Sequence, residues 1–473
     1  TSIKNAIRDL SQMQSIRISD GDISLVETAL SPKATGALKF TCTDASSRGL
    51  ANPGIRRMST PEITNTLRSV LGDMILGDSK ISEQLTSLPG DTIVAEIDDY
   101  SAQPRVEVSF ALQNIAKRVV ELTDTAEASR TALFGACSKD AAVTPACVSS
   151  FIATLGSKVY RRPLRADETA GLLKVYNDSS KNLKGLQSTL FVLLQSPQLS
   201  MHIEEGGASS GQRVRLTDYE VASRISYMTL STPPDALLLK AAEAGQLQNV
   251  ANVKAHVTRL FNSANADAKS RISSFMTYYG GLSALEEPRA SVGLASGIKT
   301  AGLGEQMLRE LGEYTNSIFW VKNGSFADMM TSTDSFPRSD AMMKILGASS
   351  LVGSNGAAVK ADPAHMGLLH RPAFLASAAD RTSPILRGVA VRREILCVTI
   401  PDPPAGDADG KLAELEALEN MPNRNRVDQL TSSAACIGCH AMINPLGYAF
   451  EKYNQLGQLR TEEVIYDDKG AVT

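Results

Sequence analysis

Cys436-Ile437-Gly438-Cys439-His440 holds two thiols and an imidazole within five residues, near the C-terminal end of a 473-residue chain. Residues three and four apart share one face of a helical turn, so this spacing brings both sulfurs and the ring to one side. Two thiols so placed can each add to one vinyl group of a haem, and the adjacent histidine can bind the iron. This is the attachment pattern of c-type haem. Other readings stay open beside it. A disulfide needs only the two thiols. A zinc site needs four ligands, and no second C-x-x-C or H-x3-5-H completes a set. A redox C-x-x-C calls for a buried strand ahead of it, whereas residues 426–435 read as a polar helical lead-in. One covalent haem c, with Cys436 and Cys439 as attachment points and His440 as proximal iron ligand, is the leading expectation.

The other cysteines point to an oxidising compartment. Cys137 and Cys147 enclose a short loop with Pro145, which a disulfide can bridge. Cys42 and Cys397 are then left as a long-range pair, with two buried free thiols as the alternative. Haem of this type is attached outside the cytoplasm, so a periplasmic or cell-surface location is expected. The start Thr1-Ser2-Ile3-Lys4 reads as processed or trimmed. No apolar run approaches 18 residues, and no transmembrane segment is expected. A net charge of −3 leaves no electrostatic footprint for nucleic acid.

Helical patterns dominate. Ile3, Ile7, Leu10 and Met13 fit a short amphipathic helix. Ser59-Thr60-Pro61-Glu62 is a capping box with proline in the first turn, ahead of the stripe Ile63, Leu67, Val70 and Leu71, and Gly72 stops it. A helix from Val106 to Leu122 is expected to turn Phe110, Ile115, Val119 and Val120 largely inward. Thr217-Asp218-Tyr219-Glu220 is a second capping box, with helices following to about Tyr279. Glu305 to Val321 is a strong helix ending at Trp320, read as a packing residue. The segment 401–406 is proline-rich and extended. No long run of alternating β-branched residues occurs, so the chain is expected to be mainly α. No nucleophile elbow, phosphate loop or H-E-x-x-H appears. Glu96, Asp98 and Asp99 form an acidic patch that could hold calcium but reads better as a solvated loop.

Several stretches, taken in order, resemble the large single-haem cytochrome c-like multi-domain proteins of planctomycete and myxobacterial type. The carriers are Arg56-Arg57-Met58-Ser59-Thr60-Pro61-Glu62 with Asn65-Thr66-Leu67-Arg68, then Tyr160-Arg161-Arg162-Pro163-Leu164, then residues 215–227. After them come Thr382-Ser383-Pro384-Ile385-Leu386-Arg387-Gly388 with Cys397, and last Cys436 to Gly457. The resemblance implies a multi-segment helical body with a C-terminal cytochrome c-like haem domain. Its segments are an N-terminal extension at 1–45, helical segments at 46–135, 136–212 and 213–346, and a haem domain at 347–473. Two departures stand out: Asn444 and Asn454 occupy positions where that family usually has aspartate.

By the same resemblance, the Pro445 carbonyl would accept the N–H of His440, and Leu446, Tyr448 and Phe450 would wall the haem pocket. Arg381 and Arg387 are candidates for the haem propionates. The sixth iron ligand is open among His365, His370, Met366 and Met442, although Met442, two residues past His440, faces away from it. The expected function is single-electron transfer to or from a redox protein partner. The alternatives are a haem-dependent oxidoreductase subunit and a structural haem-bearing subunit of a larger extracellular or membrane-associated assembly.

Overall fold

In the computed structural model, residues 50–51, 54–90, 105–139, 143–207, 209–210, 213–280, 300–377, 381–398 and 421–465 are described. Isolated positions 282, 285, 287, 288, 298, 400 and 418 join them. The expected N-terminal helix, Cys42, the acidic patch and the 401–406 segment lie outside these residues. The chain is mainly helical, as expected, and the described strands are only two to four residues long. It divides into two compact units at Arg271 and Ile272, inside the segment read from sequence as 213–346.

In the unit ending at Arg271, β1 (Gly54–Arg57) leads into α1 (Thr60–Leu71). Ser59 and Glu62 form the reciprocal cap, Ile63, Leu67, Val70 and Leu71 are buried, and Gly72 ends the helix at φ 79°. α2 (Val106–Thr125), α3 (Pro145–Tyr160), α4 (Ala166–Asp178) and α5 (Leu183–Leu194) pack around one core with α1. The inward face of α2 is Val108, Leu112, Ile115 and Val119, so Phe110 is not inward: it falls off that stripe and is 61% exposed. Cys147 in α3 is bonded to Cys137, with Cα atoms 5.8 Å apart. β2 (Met201–Glu204) pairs antiparallel with β1, which sets His202 opposite Arg56. α6 (Asp218–Leu230) begins at the Thr217–Glu220 capping box.

In the second unit, α7 (Leu303–Asn316) widens into a π turn at Ser317–Val321. Its buried face of Met307, Leu311, Tyr314 and Ile318 packs with Met342, Ile345 and Leu368. Trp320 is half-buried, edge-on to Phe319 at 4.6 Å. Toward the C-terminus come α8 (Pro384–Ala390), α9 (Asn423–Leu430) and α10 (Ala434–Tyr448). α8 and α10 meet through glycine. A Cβ on Gly388 would stand 2.2 Å from the Ile443 carbonyl oxygen, and one on Gly447 would stand 1.8 Å from that of Pro384. Both approaches are open only to residues without a side chain.

These contacts predict a contrast between two glycines of the same helix. Gly447→Ala must push α8 and α10 apart and lower stability by about 1–3 kcal/mol or more. Gly438→Ala meets nothing within 4 Å and should be neutral or stabilising by up to about 1 kcal/mol, the helix preference for alanine. Urea unfolding of both variants checks this.

Candidate functional site

The whole C-x-x-C-H stretch lies in the first turns of α10. At about 100° per residue, Cys436, Cys439 and His440 occupy one sector of the helix. Ile443 and Gly447 continue that sector and rest on α8. The face that anchors α10 thus carries both sulfurs and the imidazole one to two turns earlier, where all three residues are half-buried.

A hydrogen-bond relay decides which nitrogen of His440 carries the proton. Thr431 in the α9–α10 turn donates its hydroxyl proton to the Val427 carbonyl at 2.7 Å. Its oxygen is then the acceptor for Asn444 Nδ2 at 2.9 Å. That orients the buried Asn444 amide with Oδ1 3.0 Å from His440 Nδ1. An amide oxygen only accepts, so Nδ1 bears hydrogen, and in the neutral ring Nε2 is the nitrogen with the lone pair. Nε2 has no protein partner among the described residues.

This corrects the role expected of Pro445. Pro445 sits inside the same helix, so its carbonyl points toward the C-terminal end and away from His440. The Asn444 side chain takes the proton instead. In the sequence Asn444 stands out only as a departure from aspartate; its place four residues after His440, on the same face, is the available signal.

The other candidates fall elsewhere. His365 is buried, donates from Nε2 to the Gly457 carbonyl at 2.8 Å, and stands edge-on to Tyr453. His370 donates from Nδ1 to the Met366 carbonyl at 2.6 Å, with its ring beside Phe450 and Tyr453. Burial pushes the His370 imidazole down to about 4. Phe450 lies ten residues beyond His440, about 15 Å along a helix axis, so these histidines gather past the far end of α10. Met366 is 42% exposed beside them. Met442 lies about 200° around the helix from His440, and its sulfur accepts from Arg392 Nη2 at 3.4 Å. None of these four side chains is brought to His440 by the described residues.

Arg387 is buried, and its N–H groups go to the Leu375, Phe450, Tyr453 and Asn454 carbonyls and to Glu451. It clasps backbone, and these protein partners take up its N–H groups. Arg381 is half-buried and donates to the Met421 carbonyl at 3.0 Å. Phe450 packs with Phe374, Leu375, Val391 and Tyr453, with Leu446 against them, so this apolar wall closes on itself. Tyr448 donates to Asp428 at 2.6 Å; burial, with that carboxylate beside it, holds its phenol above the ordinary range. Cys397 is exposed at φ 53° with a free thiol, and its expected partner Cys42 is outside the described residues.

Three family models match in consecutive order. Residues 147–204 match PSD5, residues 216–343 match PSD4 and residues 365–463 match PSCyt3, described as proteins of unknown function DUF1595, DUF1592 and DUF1588. The chain carries all three domains in that order. This is the cytochrome c-related, planctomycete-type arrangement. The PSCyt3 domain spans α8, α9 and α10, and so includes Cys436, Cys439, His440 and Asn444. No curated protein and no solved structure matches the chain.

The relay predicts a single His440 tautomer. In haem-free protein, a long-range proton–nitrogen correlation spectrum should show hydrogen on Nδ1 alone. Asn444→Leu removes the acceptor and should give a mixture of both tautomers; an unchanged spectrum would contradict the relay.

Proposed function

We propose that this chain is an exported, single-haem c-type cytochrome that passes single electrons to or from a redox protein partner. The observation that carries the reading is the donor set on α10. Two thiols and a bare imidazole nitrogen share one helix face, and Asn444 and Thr431 fix the ring. Cys436 and Cys439 would hold the haem covalently, and His440 Nε2 would bind its iron. A bound haem supplies a one-electron couple. The chain's own contribution is to attach it, to orient the axial ring and, through the Nδ1 hydrogen bond, to set that ring's basicity.

The consecutive PSD5, PSD4 and PSCyt3 domains support the same reading. Export accords with the Cys137–Cys147 disulfide. Among the described residues no helix is long and apolar enough to cross a membrane.

The test is an optical redox titration of protein produced with c-type maturation machinery. A carrier gives one wave with the slope of a one-electron couple, about 59 mV per decade, and no turnover of peroxide. A high-spin ferric spectrum with peroxide turnover would overturn the carrier reading in favour of a haem-dependent oxidoreductase.

A further inference from the structure

A polar cleft of about 270 Å³ opens in the unit that ends at Arg271, formed by residues between Tyr160 and Ser223. Three stretches singled out from the sequence converge on it. The Glu62 carboxylate of the first capping box lies behind the cleft, 3.3 Å from His202 Nε2. Arg161, from the Arg161-Arg162-Pro163-Leu164 stretch, lines it, and so does Glu220 of the second capping box. Glu220 Oε1 accepts from the Glu205 and Gly206 N–H groups at 2.7 and 3.0 Å, which shapes the cleft wall.

His202 is the chemical centre of this cleft. It is buried on β2, edge-on to Tyr227 at 4.7 Å, and Tyr227 in turn bonds Thr66 of α1 at 2.7 Å. Burial works to raise the Glu62 carboxyl, but its bonds to His202 and to the Ser59 N–H hold it below the usual range. It is therefore a carboxylate and can only accept, so His202 Nε2 carries the hydrogen. Burial pushes the His202 imidazole below its ordinary range, against the pull of the carboxylate beside it. Nδ1 is left as a lone pair with no protein partner among the described residues, on a residue that lines the cleft. A carboxylate behind an imidazole fixes its tautomer and raises its basicity as an acceptor.

The charge around His202 is balanced and already engaged: Arg161 gives its N–H groups to the Val159, Gln198 and Met201 carbonyls, Glu220 accepts backbone N–H groups, and the rest are in ion pairs. The lining holds three arginines and three glutamates. Arg162 is paired with Glu168 at 2.7 Å, Arg165 with Glu205 at 2.8 Å, and Glu204 with Arg224 at 2.6 Å. A charged ligand would have to displace one of these ion pairs or the backbone partners of Arg161 and Glu220, whereas a neutral ligand would not. Tyr160 and Tyr219 add apolar ring surface to polar walls, and the volume lies just below the about 300–1,000 Å³ of drug-sized pockets.

We propose that this cleft binds a small, uncharged polyhydroxyl ligand of the size of a sugar ring, with one hydroxyl donating to His202 Nδ1. The site belongs to the PSD5 and PSD4 segments and is independent of the haem assignment.

Saturation-transfer NMR on the full chain tests it with glucose, galactose, xylose and N-acetylglucosamine, and with acetate, phosphate and lysine as charged comparators. At least one neutral sugar should give transfer that falls at least tenfold in Ser223→Trp, which fills the cleft from a partly exposed position. His202→Gln, which keeps a donor toward Glu62 but moves the acceptor, should lose the signal too. Thermal unfolding of Ser223→Trp should match the parent. Binding of charged probes alone, no binding of any sugar, or sugar transfer unchanged in Ser223→Trp would overturn the proposal.

Discussion

A buried guanidinium holds the C-terminal part of this protein together. Arg387 sits in α8 with its charge out of water, and burial brings its pKa down to about 10. Such a group is tolerated only when its donors are met. The carbonyls of Leu375, Phe450, Tyr453 and Asn454 meet them, with Glu451 balancing the charge at 3.4 Å. Residues far apart in sequence are thereby tied to one short helix. Beside Arg387, Gly388 lets the Ile443 carbonyl settle against α8, and Gly447 does the same for Pro384. With that face of α10 fixed on α8, Cys436, Cys439 and His440, one to two turns earlier on the same face, have a defined direction.

The same geometry explains why an asparagine can stand where resembling sequences have aspartate. An ionised carboxylate at position 444 would pull more strongly on the His440 N–H and make Nε2 more basic. The neutral amide still accepts that N–H, and its second arm is spent on Thr431. It therefore fixes the ring without adding a charge. A less electron-rich axial nitrogen favours the reduced state of a bound iron, so a haem held by His440 would have a higher potential than one beside an aspartate at this position.

Local features were legible in the sequence. Both capping boxes, the α1 stripe and its glycine stop, the Cys137–Cys147 bridge and the helical character of the chain follow from spacing alone. Features made by distant residues were not. Arg387 read as a candidate for a haem propionate, because nothing local shows that four carbonyls converge on it. His202 carries no motif of its own; only the β1–β2 pairing brings it to Glu62 across 140 residues. Phe110 was placed inward because it is large and apolar, although the stripe of Val108, Leu112, Ile115 and Val119 excludes it. His365 and His370 were grouped with the haem for their closeness in sequence to that domain, while the fold takes them past the far end of α10.

The central claim is that Cys436 and Cys439 carry a haem. It is tested most directly by the pyridine haemochrome of chain produced with the attachment machinery, after denaturation and acid–acetone extraction. The account predicts a c-type haemochrome at one haem per chain that survives extraction and is lost when both cysteines are replaced by serine. Haem that washes out completely, or a chain that acquires none, would contradict it.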